Sequence, residues 1–257
     1  MTLSHDLAGQ GPSTVVLLHS GVCDRRMWDG QFTALAEAGH RVVRCDFRGF
    51  GDTPVDAPHT HAEDVRDLLD HLGADRAALV GSSFGGLVAL EFAARHPGRV
   101  TALALLGSAS PCMEPSEELR AWGGREDALL EAGDLDAAVE LNVDTWLGPE
   151  ADETARALVR EMQRRAFDVQ LAAPEEFGPV DAEVTRDELA RIEVPALVVS
   201  GVHDVPDFRA VADDLTGLLP AARRLDLDWA GHLPALERPD ETARLLTAFL
   251  AEVAVRG

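Results

Sequence analysis

Short apolar runs alternate along the chain with longer segments whose apolar positions recur at helical spacing. The runs, rich in β-branched and aliphatic residues, are 15–18, 42–45, 77–80, 100–106, 196–200 and 223–227. The amphipathic segments are 27–38, 60–72, 85–95, 206–218 and 239–253. Strands that are apolar throughout are typical of parallel sheets buried on both faces. The pattern therefore predicts an α/β fold, a mostly parallel β-sheet flanked by helices, whose strands end at one ligand-binding edge.

The alternation stops between residues 111 and 191. This segment is rich in Glu, Ala, Leu and Arg and is punctuated by Gly and Pro, which predicts several helices and no strand. Ordinary crossover connections, the alternative, seldom need so much chain. We therefore expect a core of residues 1–110 and 192–257 and a helical cap of residues 111–191. The stretch before residue 15 is short, which leaves open whether one or both of the leading antiparallel strands common in such sheets are missing.

The strongest motif lies where the run 77–80 meets the next amphipathic segment. It reads Gly81-Ser82-Ser83-Phe84-Gly85, a Gly-x-Ser-x-Gly turn between a strand and a helix. Such a tight turn needs small residues on both sides of the serine, because neighbouring backbone approaches closely. The turn exposes the hydroxyl and directs the N-terminus of the next helix at a developing oxyanion. Ser83 is the predicted nucleophile, and Ser82, in the wrong register, is expected to be structural.

A serine nucleophile needs a base, and the base needs an acid that orients it. His232 lies in the loop between the last run and the C-terminal helix, at the same predicted edge as Ser83. Asp204 follows the penultimate run, and Asp207 is a second choice that looks more like a helix N-cap. The loop 107–110 holds no carboxylate, which favours Asp204. The order Ser83, Asp204, His232 is the one expected for such a sheet.

The oxyanion formed by attack needs two backbone N–H donors. Phe84, next to the nucleophile, is predicted to supply one of them. Gly21, in the loop after the first parallel strand, is predicted to supply the other, because it lets the backbone approach the substrate. His19 is expected to hydrogen-bond within that loop rather than to act in catalysis.

The other histidines receive no catalytic role. His203 sits just before Asp204 in the same turn. Six histidines fall on predicted surface segments or helix ends and are expected to be solvated: His5, His40, His59, His61, His71 and His96.

Composition restricts the partners. Asp and Glu total 45 against 23 cations, all of them Arg, and the net charge of -22 disfavours nucleic acid and anionic membranes. The sequence has no Lys and no Tyr, which excludes a Schiff-base lysine and a tyrosine acid. No apolar run reaches the ~18–20 residues of a membrane span, and the first residues lack a secretory signal pattern. Three scattered cysteines predict neither a disulfide framework nor a metal site. We expect a cytoplasmic protein with a small-molecule substrate and no cofactor, and its oligomeric state stays open.

Five motifs in this order resemble the α/β-hydrolase superfamily from about residue 15 to residue 250. The branch is that of bacterial carboxylesterases, 3-oxoadipate enol-lactonases, non-haem haloperoxidases (perhydrolases) and carbon–carbon bond hydrolases. The matching residues are His19-Ser20-Gly21, Asp46-Phe47-Arg48-Gly49-Phe50-Gly51, Gly81-Ser82-Ser83-Phe84-Gly85-Gly86, Gly201-Val202-His203-Asp204 and Gly231-His232. Ser20 replaces the glycine usual in the family, which affects local hydrogen bonding but not the role of Gly21. Asp46 and Arg48 resemble a structural motif of the family.

The predicted reaction is hydrolysis of a carboxylic ester or lactone through an acyl-enzyme. A carbon–carbon bond hydrolase or perhydrolase with the same triad is the first alternative, and a non-catalytic ligand-binding protein of the same fold is the second. Substrate choice is expected to lie with the cap. The candidates for the substrate pocket are large apolar residues in or near it: Trp28, Trp122, Trp146 and Met113.

Overall fold

The computed structural model describes residues 2–180 and 183–256 and contains one seven-stranded sheet. Its strands are β1 (His5–Ala8), β2 (Thr14–Leu18), β3 (Arg41–Cys45), β4 (Ala77–Ser82), β5 (Val100–Leu106), β6 (Ala196–Gly201) and β7 (Ala222–Leu227). Their order across the sheet is β1-β3-β2-β4-β5-β6-β7. Strands β2 to β7 pair in parallel, and β1 pairs antiparallel with β3. The predicted mostly parallel sheet is confirmed, each predicted run lies within a parallel strand, and one leading antiparallel strand is present.

Helices cover the sheet on both faces. They are α1 (Asp29–Glu37), α2 (His61–His71), α3 (Phe84–Arg95), α4 (Glu117–Glu131), α5 (Leu135–Trp146), α6 (Glu153–Leu171), α7 (Arg186–Leu189), α8 (Pro206–Leu218), α9 (Pro234–Glu237) and α10 (Pro239–Arg256). Successive strand residues point to opposite faces. In β2, Val16 and Leu18 therefore join a core with α2 and α3, and Val15 and Leu17 join a second core with α1 and α10. No described helix is both long and apolar enough to cross a membrane.

The segment between β5 and β6 contributes helices α4 to α7 and no strand to the sheet within residues 111–180 and 183–191. The first three begin at side-chain N-caps, Ser116, Asp134 and Asp152. Helices α5 and α6 are joined by a ladder of three ion pairs: Asp136–Arg164, Glu140–Arg160 and Asp144–Arg156. The helical content agrees with the prediction for this segment, and its division from the core as a cap stays a prediction.

Candidate active site

Ser83 lies in a strained turn between β4 and α3. Its φ of 52° and ψ of -113° make it the one non-glycine residue with positive φ in the described parts of the chain. A Cβ at position 81 would lie 2.4 Å from the carbonyl oxygen of Gly85, and one at position 85 would lie 2.2 Å from that of Leu18. Both flanking positions therefore require glycine. A non-glycine residue in such a conformation costs about 1–3 kcal/mol, and such strain concentrates at functional sites.

Asp204 and His232 form a buried pair at the carboxyl edge of the sheet. Asp204 follows β6 and His232 follows β7. The Nδ1 atom of His232 lies 2.9 Å from Oδ1 and 3.0 Å from Oδ2 of Asp204, and neither side chain is more than 2 % exposed. A carboxylate only accepts hydrogen bonds, so Nδ1 carries a hydrogen, and in the neutral ring Nε2 then has the lone pair. The contact thus selects the tautomer in which Nε2 can act as a base.

Gly107 connects this pair to the turn of Ser83. The N–H of Ser83 donates to the carbonyl oxygen of Leu106 at 2.9 Å. A Cβ on the next residue, Gly107, would lie 3.1 Å from His232 Nδ1 and 3.3 Å from Asp204 Oδ2. The chain at the end of β5 therefore passes close to all three residues, which lie at one edge of the sheet. Within residues 2–180 and 183–256, Ser83 Oγ makes no hydrogen bond, so its contact with His232 Nε2 stays a prediction.

The two predicted oxyanion donors are neighbours. A Cβ at Gly21 would lie 3.6 Å from the Cβ of Phe84, so the loop after β2 approaches the start of α3 closely. The loop is held by His19, whose Nδ1–H donates to Ser20 O at 2.8 Å and whose Nε2 accepts from Phe47 N–H at 3.0 Å. Burial lowers the pKa of His19, so its ring is neutral at pH 7. Both nitrogens of His19 are occupied by backbone, as expected for a structural histidine.

Three aromatic side chains cluster beside His232, and two of them contact its ring. The ring of His232 lies 4.2 Å from that of Phe208 and 4.8 Å from that of Trp146, measured between centroids. Trp122 packs against Trp146 at 4.8 Å. Of the four predicted pocket residues, Trp146 therefore contacts the imidazole and Trp122 lies one ring further away. Phe208 escaped the sequence prediction because it lies on α8, outside the expected cap.

The other two predicted pocket residues lie elsewhere. Trp28 has no exposed surface, so a substrate could reach it only after a rearrangement. Met113 and Asp207 line a cavity of about 510 Å³ whose lining does not include His232. Asp207 is not an N-cap, because α8 already begins at Pro206 and the Asp207 carboxylate accepts from Ser116 N–H and Oγ–H at 2.6 and 2.9 Å.

A family model described as the alpha/beta hydrolase fold matches residues 13–239 of the chain. The chain belongs to the α/β hydrolase family. The pimeloyl-[acyl-carrier protein] methyl ester esterase of Aeromonas hydrophila is 31% identical over 97% of this chain and 100% of its own length. The 2-hydroxymuconate semialdehyde hydrolase of Pseudomonas putida is 28% identical over 96% of this hydrolase and 90% of its own length. Among solved structures, the enol-lactonase of Burkholderia xenovorans LB400 is 29% identical, with a TM-score of 0.80 over 97% of this chain and 96% of that one.

The loop that carries His232 is held by Glu237, which the sequence did not reveal. Its Oε2 accepts from Gly231 N–H at 2.8 Å and its Oε1 from Leu233 N–H at 3.0 Å, so the carboxylate bonds the residues on both sides of the histidine. Burial raises the pKa of Glu237, against these backbone hydrogen bonds. The signal in the sequence is weak, a carboxylate one helical turn after the histidine loop. Glu237 positions His232 in this hydrolase.

Glu237→Gln is expected to lower the free energy of unfolding by about 1–3 kcal/mol, because the amide nitrogen leaves a buried N–H without an acceptor. Turnover should fall as well, since the His232 loop loses one of its two anchors. Urea denaturation and steady-state kinetics measure the two effects. Glu252→Gln, on the exposed face of α10, is the control. Wild-type stability and kinetics in Glu237→Gln would contradict the role of this carboxylate.

A second cavity, of about 410 Å³, borders Phe84 but not His232, and its lining includes His59, His61 and Gln170. The prediction that His59 and His61 are solvated is wrong, because their exposed fractions are only 8% and 9%. The ring of His61 packs edge-on against Phe84 at 5.0 Å. Burial, followed by the neighbouring His59, His19 and Arg48, lowers the pKa of His61 to about 3. The imidazole of His61 is therefore neutral at pH 7.

Proposed function

We propose that this protein is a serine hydrolase that cleaves a carboxylic ester or lactone through Ser83, His232 and Asp204. The observation that carries the proposal is the buried Asp204–His232 pair, which orients the imidazole through Nδ1 at the same sheet edge as the strained turn of Ser83. Membership of the α/β hydrolase family supports it. So do an esterase and an enol-lactonase among the similar proteins.

Acylation begins with proton transfer. Nε2 of His232 takes the proton of Ser83 as Oγ attacks the carbonyl carbon, and the imidazole becomes positively charged. Asp204 holds the ring through Nδ1 and stabilises that charge. The Nε2–H then donates its proton to the leaving alkoxide. For a lactone, the leaving group stays attached to the acyl chain.

The negative charge on the substrate oxygen is stabilised by the N–H groups of Gly21 and Phe84. Phe84 is the first residue of α3, so its N–H points out of a helix N-terminus. Removing one oxyanion donor typically costs about 2.7–4 kcal/mol of transition-state stabilisation. Deacylation repeats the sequence with water as the nucleophile. His232 then activates the water, and Ser83 leaves with the proton.

The contacts described above restrict the class of substrate less than they restrict the type of reaction. Phe208, Trp146 and Trp122 form an apolar wall next to His232, which favours a small-molecule substrate with an apolar portion. The helices α4 to α6, two of whose tryptophans belong to this wall, would act as a cap over the site. A carbon–carbon bond hydrolase is the second candidate, favoured by the likeness to the 2-hydroxymuconate semialdehyde hydrolase. Parallel assays with p-nitrophenyl esters, lactones, vinylogous 1,5-diketones, and peroxide with acetate separate these activities.

A fluorophosphonate probe tests the nucleophile without knowledge of the substrate. We expect one phosphonyl adduct per chain, located by peptide mass spectrometry on Ser83 rather than on Ser82. Denatured protein is the control, because an unactivated serine does not react. An unlabelled native chain, or an adduct at another residue, would refute the proposal and favour a ligand-binding role.

A further inference from the structure

Two buried imidazole nitrogens beside the second cavity have no hydrogen-bond partner among residues 2–180 and 183–256. They are Nε2 of His59 and Nδ1 of His61, and neither has any appreciable exposed surface. The two rings pack edge to face at 4.8 Å. A buried polar atom without a partner costs about 1–3 kcal/mol, so native proteins usually satisfy such atoms with protein, water or an ion.

The hydrogen bond of His59 selects the tautomer in which its free nitrogen is an electron-pair donor. Its Nδ1 lies 3.1 Å from the carbonyl oxygen of Ala57, which only accepts, so Nδ1 carries the hydrogen and Nε2 has the lone pair. A histidine that binds a metal usually donates its other N–H to a carbonyl or carboxylate in this way. Nδ1 of His61 is buried and makes no hydrogen bond within the described chain, so this atom is available as a second ligand.

Asp64 completes the group with a carboxylate. The ligand atoms of His59, His61 and Asp64 lie within 4.8 Å of one another. Asp64 accepts from Arg48 Nε at 2.9 Å and Nη2 at 3.1 Å, and a carboxylate has about four lone-pair sites, so others remain available. Arg48 also pairs with Asp56, so these two carboxylates outnumber the guanidinium and leave negative charge for a cation.

Two unpartnered imidazole nitrogens and a neighbouring carboxylate form a set of electron-pair donors that a cation can bind. A water molecule could bridge the two imidazole nitrogens, whereas a divalent ion can bind both nitrogens and a lone pair of Asp64 as well. Tetrahedral Zn²⁺ binds nitrogen and oxygen at about 2.0–2.2 Å, which places its ligands roughly 3.4 Å apart. Shifts of about 1 Å or less would bring the group from its present spacing to this geometry.

We propose that His59, His61 and Asp64 form a binding site for a divalent first-row transition-metal ion such as Zn²⁺. Two imidazoles and one carboxylate form a ligand set suited to this class of ion, and the adjoining cavity leaves room for water as a further ligand. The site is separate from His232 and does not depend on the proposed ester hydrolysis. One of its proposed ligands, His61, packs directly against the ring of Phe84.

Metal titration of the full chain tests the site. Isothermal titration calorimetry with Zn²⁺ is expected to give one site per chain, and Co²⁺ is expected to give the visible absorption of a low-symmetry, four- or five-coordinate ion. His59→Gln and His61→Gln should each weaken binding at least tenfold. The matched control is His71→Gln, an exposed histidine on the same helix as His61, which should bind as the wild type does.

Thermal unfolding with and without Zn²⁺ distinguishes lost ligands from lost fold. The ion should raise the Tm of wild type and of His71→Gln, and leave the Tm of the two cluster variants unchanged. Equal binding by all four proteins would overturn the proposal, because the ion would then bind the acidic surface. Absence of binding, with the cluster variants changing KM for esters in a chelating buffer, would also overturn it and assign the histidines to substrate recognition.

Discussion

Ser83→Ala is expected to abolish ester hydrolysis. Without the hydroxyl, no acyl-enzyme forms, and only the oxyanion donors and substrate binding remain to accelerate attack by water. Loss of a serine nucleophile typically lowers kcat by about 10⁴–10⁶. The measurement is kcat and KM for short p-nitrophenyl esters, with a fluorophosphonate titration to count functional sites. KM should change little, because the methyl side chain keeps the shape of the site.

Ser82→Ala is the matched control for this loss. Ser82 is the neighbouring residue, fully buried at the end of β4, and its Oγ has no hydrogen-bond partner within the described chain. Its removal should therefore leave both turnover and the free energy of unfolding near the wild-type values. Ester turnover retained in Ser83→Ala, or lost in Ser82→Ala, would show that Ser83 is not the nucleophile.

Asp204→Asn is expected to lower kcat by about 10⁴ while the protein stays folded, the size of effect seen when an aspartate of a serine-protease triad is replaced in this way. The amide can donate to the imidazole as well as accept from it, so the tautomer with hydrogen on Nε2 becomes populated. That tautomer cannot accept the proton of Ser83. Steady-state kinetics and circular dichroism of the variant measure the two parts of this expectation.

Asp207→Asn provides the comparison for the acid. Asp207 was the second choice from the sequence, and its carboxylate binds Ser116 rather than a histidine. The variant should keep nearly all of its turnover, since an exposed contact of this kind contributes little. A larger loss in Asp207→Asn than in Asp204→Asn would reverse the assignment.

The strands were predictable because their apolar runs are continuous, a pattern that burial on both faces imposes. Strand β1 was not, since it lies at the sheet edge and its residues, such as Leu7 at 47% exposure, carry no such pattern. The tight turn between Gly81 and Gly85 was also predictable, because close backbone contact permits only glycine at these two positions. The buried strands and the glycine turn could therefore be predicted, because each leaves a pattern in a short stretch of sequence.

The parts of the site that could not be predicted depend on contacts that form only when the chain has folded. Phe208 reaches His232 once α8 has packed, and Glu237 bonds the His232 loop once α9 has formed. His59 looks like a surface histidine in sequence, but its carbonyl accepts from Val180 N–H at 2.7 Å, more than a hundred residues later. The backbone of Pro179 and Val180 lies against His59. Burial of that kind leaves no trace in local composition.

The backbone conformation of Ser83 also affects which residues are favoured at this position. Its φ of 52° is one that glycine adopts without penalty, so the folded chain gives up about 1–3 kcal/mol by keeping a side chain there. A drift towards greater thermostability would favour glycine at this position, and the proposed nucleophile would be lost with the strain. If Ser83 is the nucleophile, stability and chemistry oppose each other at a single residue.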